Sequence, residues 1–153
     1  MTILLALYPA WLAMMALHEG GHVLHAVISG GRVARVTIPL LGFSYTELSS
    51  NPWPGFVAWG GPVWGSLVPL GAWLVARRFW RRWASAFQSF AGFCLIANGV
   101  YIAAATPEAI GDAETLLRTG TPAGVLYAFG AAVAIAGLYL WHDLGRARPE
   151  RRE

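Results

Sequence analysis

Four apolar stretches, each long enough to cross a bilayer as a helix, constrain this chain more than any other feature. They cover about residues 3–28, 54–75, 83–105 and 123–141. A membrane-spanning helix needs about 20 mostly apolar residues. Only 12% of the residues are charged, whereas soluble domains carry about 25%. The sequence therefore predicts an all-α polytopic membrane protein with about four transmembrane helices.

The segment between the first two apolar stretches has a different pattern. β-branched or aromatic residues alternate with polar ones in residues 35–38 and 43–46, and residues 39–42 supply a turn. This alternation predicts a short β-hairpin after the first helix, with an irregular interfacial loop as the alternative. Because bare strands cannot face lipid, the hairpin must lie at the membrane interface or against protein.

All of the positive charge comes from arginine, since the chain has no lysine. Four arginines lie in residues 77–82 and four in residues 146–152. Both clusters flank apolar stretches, so they indicate topology rather than a nucleic-acid surface, and no nucleic-acid partner is expected. The positive-inside rule places both termini and residues 77–82 in the cytoplasm.

The first apolar stretch contains the sequence HEGGH at residues 18–22. Ionisable groups at membrane depth are costly, so they indicate function by default. On a helix, His18 and His22 share one face and can bind one Zn²⁺, while Glu19 can accept a proton from water as a general base. The alternative is a pair of histidines hydrogen-bonded within a helix bundle. We interpret His25 as an interfacial histidine without a catalytic part, with a role as a partner of the metal ligands or a substrate contact as the alternative.

The segment HEGGHVLHAVISGGRVARVTI resembles the site-2 protease family of intramembrane zinc metalloproteases. That family has an H-E-x-G-H pattern, then small and apolar residues, a glycine turn and a β-prone stretch. A second segment, AWGGPVWGS, resembles the family's Ala-Gly-Pro-x-x-Asn segment. Gly61 and Pro62 match it, whereas Gly65 stands where the family often has asparagine. The resemblance covers about residues 16–71.

The resemblance implies a third zinc ligand, which in the family is the aspartate of a Leu-Asp-Gly motif preceded by an asparagine. This chain lacks that motif. Asp112 is the best candidate, with Glu108 and Glu114 as substitutes, and the alternative for Asp112 is a helix N-cap. By the same analogy, Asn98 would donate hydrogen bonds to a substrate carbonyl or oxyanion. Its alternative is an interhelical amide hydrogen bond.

These observations predict a zinc-dependent intramembrane endopeptidase that cleaves a peptide bond in or near a transmembrane segment of a membrane protein substrate. Zn²⁺ would be held by His18, His22 and Asp112, and Glu19 and Asn98 would be catalytic. The alternative is a non-catalytic membrane protein with a structural or regulatory zinc site, acting as a subunit of a larger complex. Partners would be the lipid bilayer, the substrate, and either a second copy of the chain or an accessory subunit.

We expect one membrane-embedded metalloprotease-like domain, residues 1–145, followed by a basic C-terminal tail, residues 146–153. The lysine-free composition, rich in alanine, glycine and arginine, is typical of a GC-rich bacterial genome, so we expect a multi-pass protein of a bacterial cell membrane. One disagreement concerns sidedness. Active sites of the family generally lie toward the cytosol, whereas the arginine distribution places the first and third loops outside.

Overall fold

The computed structural model describes residues 2–146, and the side chains of residues 7–146. The chain is mostly helical, with a two-stranded antiparallel sheet after the first helix, as predicted. The predicted basic tail covers residues 146–153, and all of it except Arg146 lies outside the described residues. The elements in chain order are α1 (Thr2–Ile28), β1 (Arg32–Thr37), β2 (Tyr45–Ser50), α2 (Pro54–Phe79), a 3₁₀ turn (Arg81–Trp83), α3 (Ala84–Glu108), α4 (Gly111–Arg118) and α5 (Ala123–Arg146).

Two helical segments of the described chain, residues 81–108 and 123–146, are long and apolar enough to cross a membrane. The sequence predicts two further spans, in α1 and α2, and these stay predictions. The helices extend beyond the apolar stretches. For example, α2 continues through Arg77 and Arg78, because arginine is a good helix former and its long side chain can reach water from a helix end.

The β-hairpin folds back along α1. Its strands pair with Val36 opposite Thr46, and Gly42 in the connection has a φ of +99°, a conformation that glycine adopts without strain. The Tyr8 hydroxyl donates a hydrogen bond to the Leu40 carbonyl at 3.0 Å. Because Tyr8 lies in the N-terminal part of α1, the hairpin tip lies far from the C-terminal end of that helix at Ile28.

Two glycines allow α1 and α2 to touch backbone to backbone. A Cβ atom on Gly21 would lie 2.1 Å from the carbonyl oxygen of Gly60, and a Cβ on Gly60 would lie 2.4 Å from that of Gly21. Neither distance is possible for a real side chain, so only glycine fits at this crossing. The contact places α2 directly against the turn of α1 that contains HEGGH.

The short helix α4, which the sequence indicates only through the N-cap alternative for Asp112, is amphipathic. Ala113 and Leu116 are fully buried, whereas Glu114 and Arg118 are exposed and form an ion pair. The buried pair belongs to a core cluster that joins α4 to α2, α3 and α5. This packing fixes the start of α4 against the helix pair that contains the predicted site residues.

Candidate metal centre

The two histidines of HEGGH aim the same ring nitrogen at one point. The Nε2 atoms of His18 and His22 lie 3.1 Å apart, as expected for side chains four residues apart on one helical face. Both residues are buried. Helix α1 alone therefore supplies two converging nitrogen ligands for a metal ion.

Hydrogen bonds at the opposite ring nitrogens fix the orientation of both imidazoles. His18 Nδ1 donates to Asn98 Oδ1 at 2.8 Å, and His22 Nδ1 donates to the carbonyl oxygen of Val57 at 2.8 Å. With Nδ1 protonated, a neutral histidine keeps the Nε2 lone pair free. Two such lone pairs facing each other repel unless a proton or a cation lies between them. Outer hydrogen bonds of this kind are typical of metal-binding histidines.

Asp112 supplies a carboxylate to the same point. Its Oδ2 lies 3.0 Å from His18 Nε2, and its Oδ1 lies 3.3 Å from His22 Nε2. These three residues are the group of potential metal ligands found in the described part of the chain. The N-cap alternative for Asp112 is wrong, because Ile110 is the N-cap of α4 and Asp112 lies inside the first turn.

The local environment keeps Asp112 ionised. Burial raises the pKa of its carboxyl, but the neighbouring imidazoles of His18 and His22 outweigh that effect and hold the pKa well below the usual range. The backbone N–H of Asp112 donates to the Tyr101 hydroxyl oxygen at 3.2 Å. An ionised carboxylate in a fixed position is a competent ligand for a divalent cation.

The spacing of these donor atoms fits a tetrahedral Zn²⁺ site. Bonds from zinc to nitrogen or oxygen are about 2.0–2.1 Å long, so two ligand atoms of a tetrahedron lie about 3.3 Å apart. The two Nε2 atoms lie 3.1 Å apart, and each lies 3.0–3.3 Å from a different oxygen of the Asp112 carboxylate. With one ligand atom taken from each residue, the three atoms lie within 4.8 Å of one another. Two imidazoles and one carboxylate leave a fourth position for water or substrate, as in catalytic zinc sites.

Glu19 lies beside these ligands and is almost fully buried, with 2% of its surface exposed. Its Oε1 accepts a hydrogen bond from Ser44 Oγ at 2.7 Å, and its Oε2 accepts one from Thr46 Oγ1. Glu19 is outside the group of three ligand atoms. Its carboxylate therefore lies beside the ligand group without belonging to it.

A partly open pocket of about 200 Å³ joins these groups. It is bounded by α1, the hairpin, the start of α2, α3 and α4. On the hairpin side, β2 borders the pocket. The pocket is lined by His18, Glu19, His22, Ser44, Tyr45, Thr46, Leu48, Asn51, Pro54, Val57, Ala58, Tyr101, Gly111, Asp112 and Thr115.

Two glycines of the AWGGPVWGS segment in α2, Gly61 and Gly65, lie directly against the site. A Cβ atom on Gly61 would lie 2.3 Å from His22 Nε2 and 2.5 Å from His18 Nε2. A Cβ on Gly65 would lie 2.8 Å from Asn98 Oδ1. Space for the ligand nitrogens and for the Asn98 amide thus depends on the absence of side chains on this face of α2.

The other two polar candidates have hydrogen bonds within the protein. Asn98 accepts from His18, which is the interhelical hydrogen bond considered as its alternative. Its Nδ2 donates to the Cys94 carbonyl at 2.9 Å within α3. His25 donates through Nδ1 to the Phe56 carbonyl and accepts at Nε2 from Trp64 Nε1. His25 thus joins α1 to α2 and lies outside the ligand group.

Sequence reasoning missed Ser44, Thr46 and Tyr101 as parts of the site. Ser44 and Thr46 had a signal, because residues two apart on a strand point to the same side. Tyr101 also had one, since it lies three residues after Asn98 on the same face of a helix. Neither signal identifies the residue that each side chain contacts, because those contacts depend on how the hairpin and α4 dock.

Comparison with known proteins gives one match. The model of the peptidase M50B-like family matches residues 3–110, a range that contains HEGGH, the hairpin and the glycine segment of α2. Searches of curated proteins and of solved structures gave no significant match. The match ends two residues before Asp112, so the ligand assignment of Asp112 depends on geometry alone. Since the match spans well over half of the 153 residues, the chain belongs to the peptidase M50B-like family, in agreement with its resemblance to site-2 proteases.

Proposed function

We propose that the protein is a zinc-dependent intramembrane endopeptidase. The observation that supports this most strongly is the convergence of His18 Nε2, His22 Nε2 and the Asp112 carboxylate at separations of 3.0–3.3 Å. A structural zinc site is usually closed by four protein ligands. Three ligands, an adjacent buried carboxylate and a bordering pocket favour catalysis over the alternative of a structural or regulatory site.

Glu19 would act as the general base. When bound, Zn²⁺ would polarise the scissile carbonyl and make a water molecule acidic enough to deprotonate near neutral pH. A Glu19 carboxylate oxygen would take one proton from that water as the water oxygen bonds to the carbonyl carbon. Glu19 would then deliver the proton to the amide nitrogen as the C–N bond breaks. His18 and His22 stay in place through their Nδ1 hydrogen bonds.

We also propose that α1 and α2 cross the membrane with α3 and α5, giving four spans in a bacterial cell membrane. Family membership and the two apolar helices indicate an integral membrane protein. The hairpin connection agrees with this placement, because Leu40, Leu41 and Phe43 are 72–86% exposed and the connection contacts α1 at Tyr8 and Trp11. Apolar side chains in such a position are stable in lipid.

The substrate would be a transmembrane protein that unwinds to reach the pocket. A helical peptide bond is shielded by its own hydrogen bonds. β2 is an edge strand of a two-stranded sheet and borders the pocket through Tyr45, Thr46 and Leu48. An unwound segment could pair with its free edge and present an extended backbone to the ligand group.

Metal removal tests the proposal. Detergent-purified protein is incubated with tagged single-span membrane proteins, and products are followed by electrophoresis and mass spectrometry. We expect cleavage that stops after treatment with a zinc chelator and returns with Zn²⁺ but not with Mg²⁺, because imidazole ligands select transition metals over Mg²⁺. Cleavage that survives chelation would contradict a zinc mechanism. Protein that holds zinc but cleaves none of the substrates would favour the structural-site alternative.

A further inference from the structure

The hydrogen-bond partners of the Glu19 carboxylate come from the hairpin. Ser44 donates to one oxygen and Thr46 to the other. No arginine forms an ion pair with Glu19 in the part of the chain that the structure describes. An ionised carboxylate that is buried without such partners is strongly unfavourable. The two hydroxyls therefore supply the stabilisation that water would otherwise give.

The local strand geometry brings both hydroxyls to one side. Ser44 and Thr46 are two residues apart and face α1, whereas Tyr45 between them is 48% exposed. The hairpin is held against α1 at two further levels. The Tyr8 hydroxyl bonds to the Leu40 carbonyl, and the Trp11 ring packs edge-on against Phe43 at 6.2 Å.

These hydrogen bonds orient Glu19 without blocking it. An ionised carboxylate offers about four acceptor positions, two on each oxygen. Ser44 and Thr46 occupy one position on each oxygen. A lone pair remains on each oxygen for a water molecule in the pocket. The carboxylate plane, however, is fixed by two donors from the hairpin, Ser44 just before β2 and Thr46 within it.

We infer that Ser44 and Thr46 are positioning residues for Glu19, so that the general base is correctly oriented only when the hairpin is docked on α1. The catalytic part of this inference rests on the proposed function. The structural part, a reciprocal coupling between Glu19 and the hairpin, does not. Helix α1 alone would place the Glu19 backbone but leave several side-chain rotamers open.

The catalytic part is tested by removing the hydroxyls. Ser44→Ala combined with Thr46→Val is expected to lower kcat about 10- to 100-fold, because hydrogen bonds to charged groups are the strong ones. KM and zinc content should stay close to wild type. Combining Ser44→Ala with Thr46→Ser, which keeps a hydroxyl at position 46, should restore the part of kcat that depends on Thr46. Thr37→Val, which removes a hydroxyl from β1 away from Glu19, is the matched control. A rise in KM with unchanged kcat would overturn the positioning role.

The coupling is measured on zinc-free protein by hydrogen exchange of the backbone amides of residues 32–50. Glu19→Ala and the Ser44/Thr46 double variant should each accelerate exchange about tenfold or more. Combined, they should accelerate it no further than either alone, since both break the same contact. Additive effects, or no effect in either variant, would overturn the inference. If the wild-type protein cleaves nothing but shows this coupling, the proposed function fails and the hairpin contact stands.

Discussion

A Glu19→Gln variant is expected to lose cleavage activity by about 10²- to 10⁴-fold, the contribution of a well-placed general base, while its zinc content stays near that of wild type. Glutamine has the same shape and can still accept a hydrogen bond from Ser44 or Thr46. It cannot accept a proton from water at neutral pH. Since Glu19 is outside the group of ligand atoms, the metal site should remain intact.

The measurement is kcat for the same single-span substrates together with zinc per chain by elemental analysis. Glu108→Gln is the matched control, because Glu108 is an exposed glutamate at the end of α3 and should leave both values unchanged. Full activity of Glu19→Gln would exclude Glu19 as the base. Loss of zinc together with activity would mean that Glu19 acts through the metal site instead.

A Gly61→Ala variant is expected to bind zinc at least about 100-fold more weakly and to be inactive, since disturbing only the groups that orient metal ligands already costs 10- to 100-fold. The added methyl group would lie 2.3–2.5 Å from the Nε2 atoms of His18 and His22. It therefore competes directly for the space of the metal ion. Relief by moving α2 away is opposed by the backbone contact between Gly21 and Gly60.

Gly71→Ala provides the control for this substitution. Gly71 lies on the same helix, and apart from the adjacent backbone of that helix no described atom lies within 4 Å of the position that its Cβ would occupy. We expect normal zinc binding from Gly71→Ala, measured by competition with a chromogenic chelator. Normal zinc binding by Gly61→Ala would contradict the placement of α2 over the ligand nitrogens.

The sequence alone predicts the local parts of this molecule well. The spacing of His18 and His22 requires a shared helical face, and the hairpin follows from alternation around a glycine-containing turn. The backbone contact of Gly21 with Gly60 joins two segments that carry the family resemblance. In each case the signal lies within one element or in a residue type that permits close packing.

The parts that sequence reasoning could not establish depend on docking between distant elements. Asp112 was a candidate by analogy, and its position near His18 follows from the packing of Leu116 in the core. The contact of Thr46 with Glu19 joins residues 27 positions apart and depends on the angle at which the hairpin folds back along α1. No periodicity within a single segment encodes that angle.

Zinc per chain in wild type and in Asp112→Ala, measured side by side after purification in metal-replete detergent solution, tests the central claim most directly. Glu108→Ala and Glu114→Ala are the matched controls, because both residues are exposed and outside the ligand group. We predict about one zinc in wild type and in both controls, as for a three-ligand catalytic site, and close to none in Asp112→Ala. Wild-type protein without zinc, or undiminished zinc in Asp112→Ala, would contradict a metal centre formed by His18, His22 and Asp112.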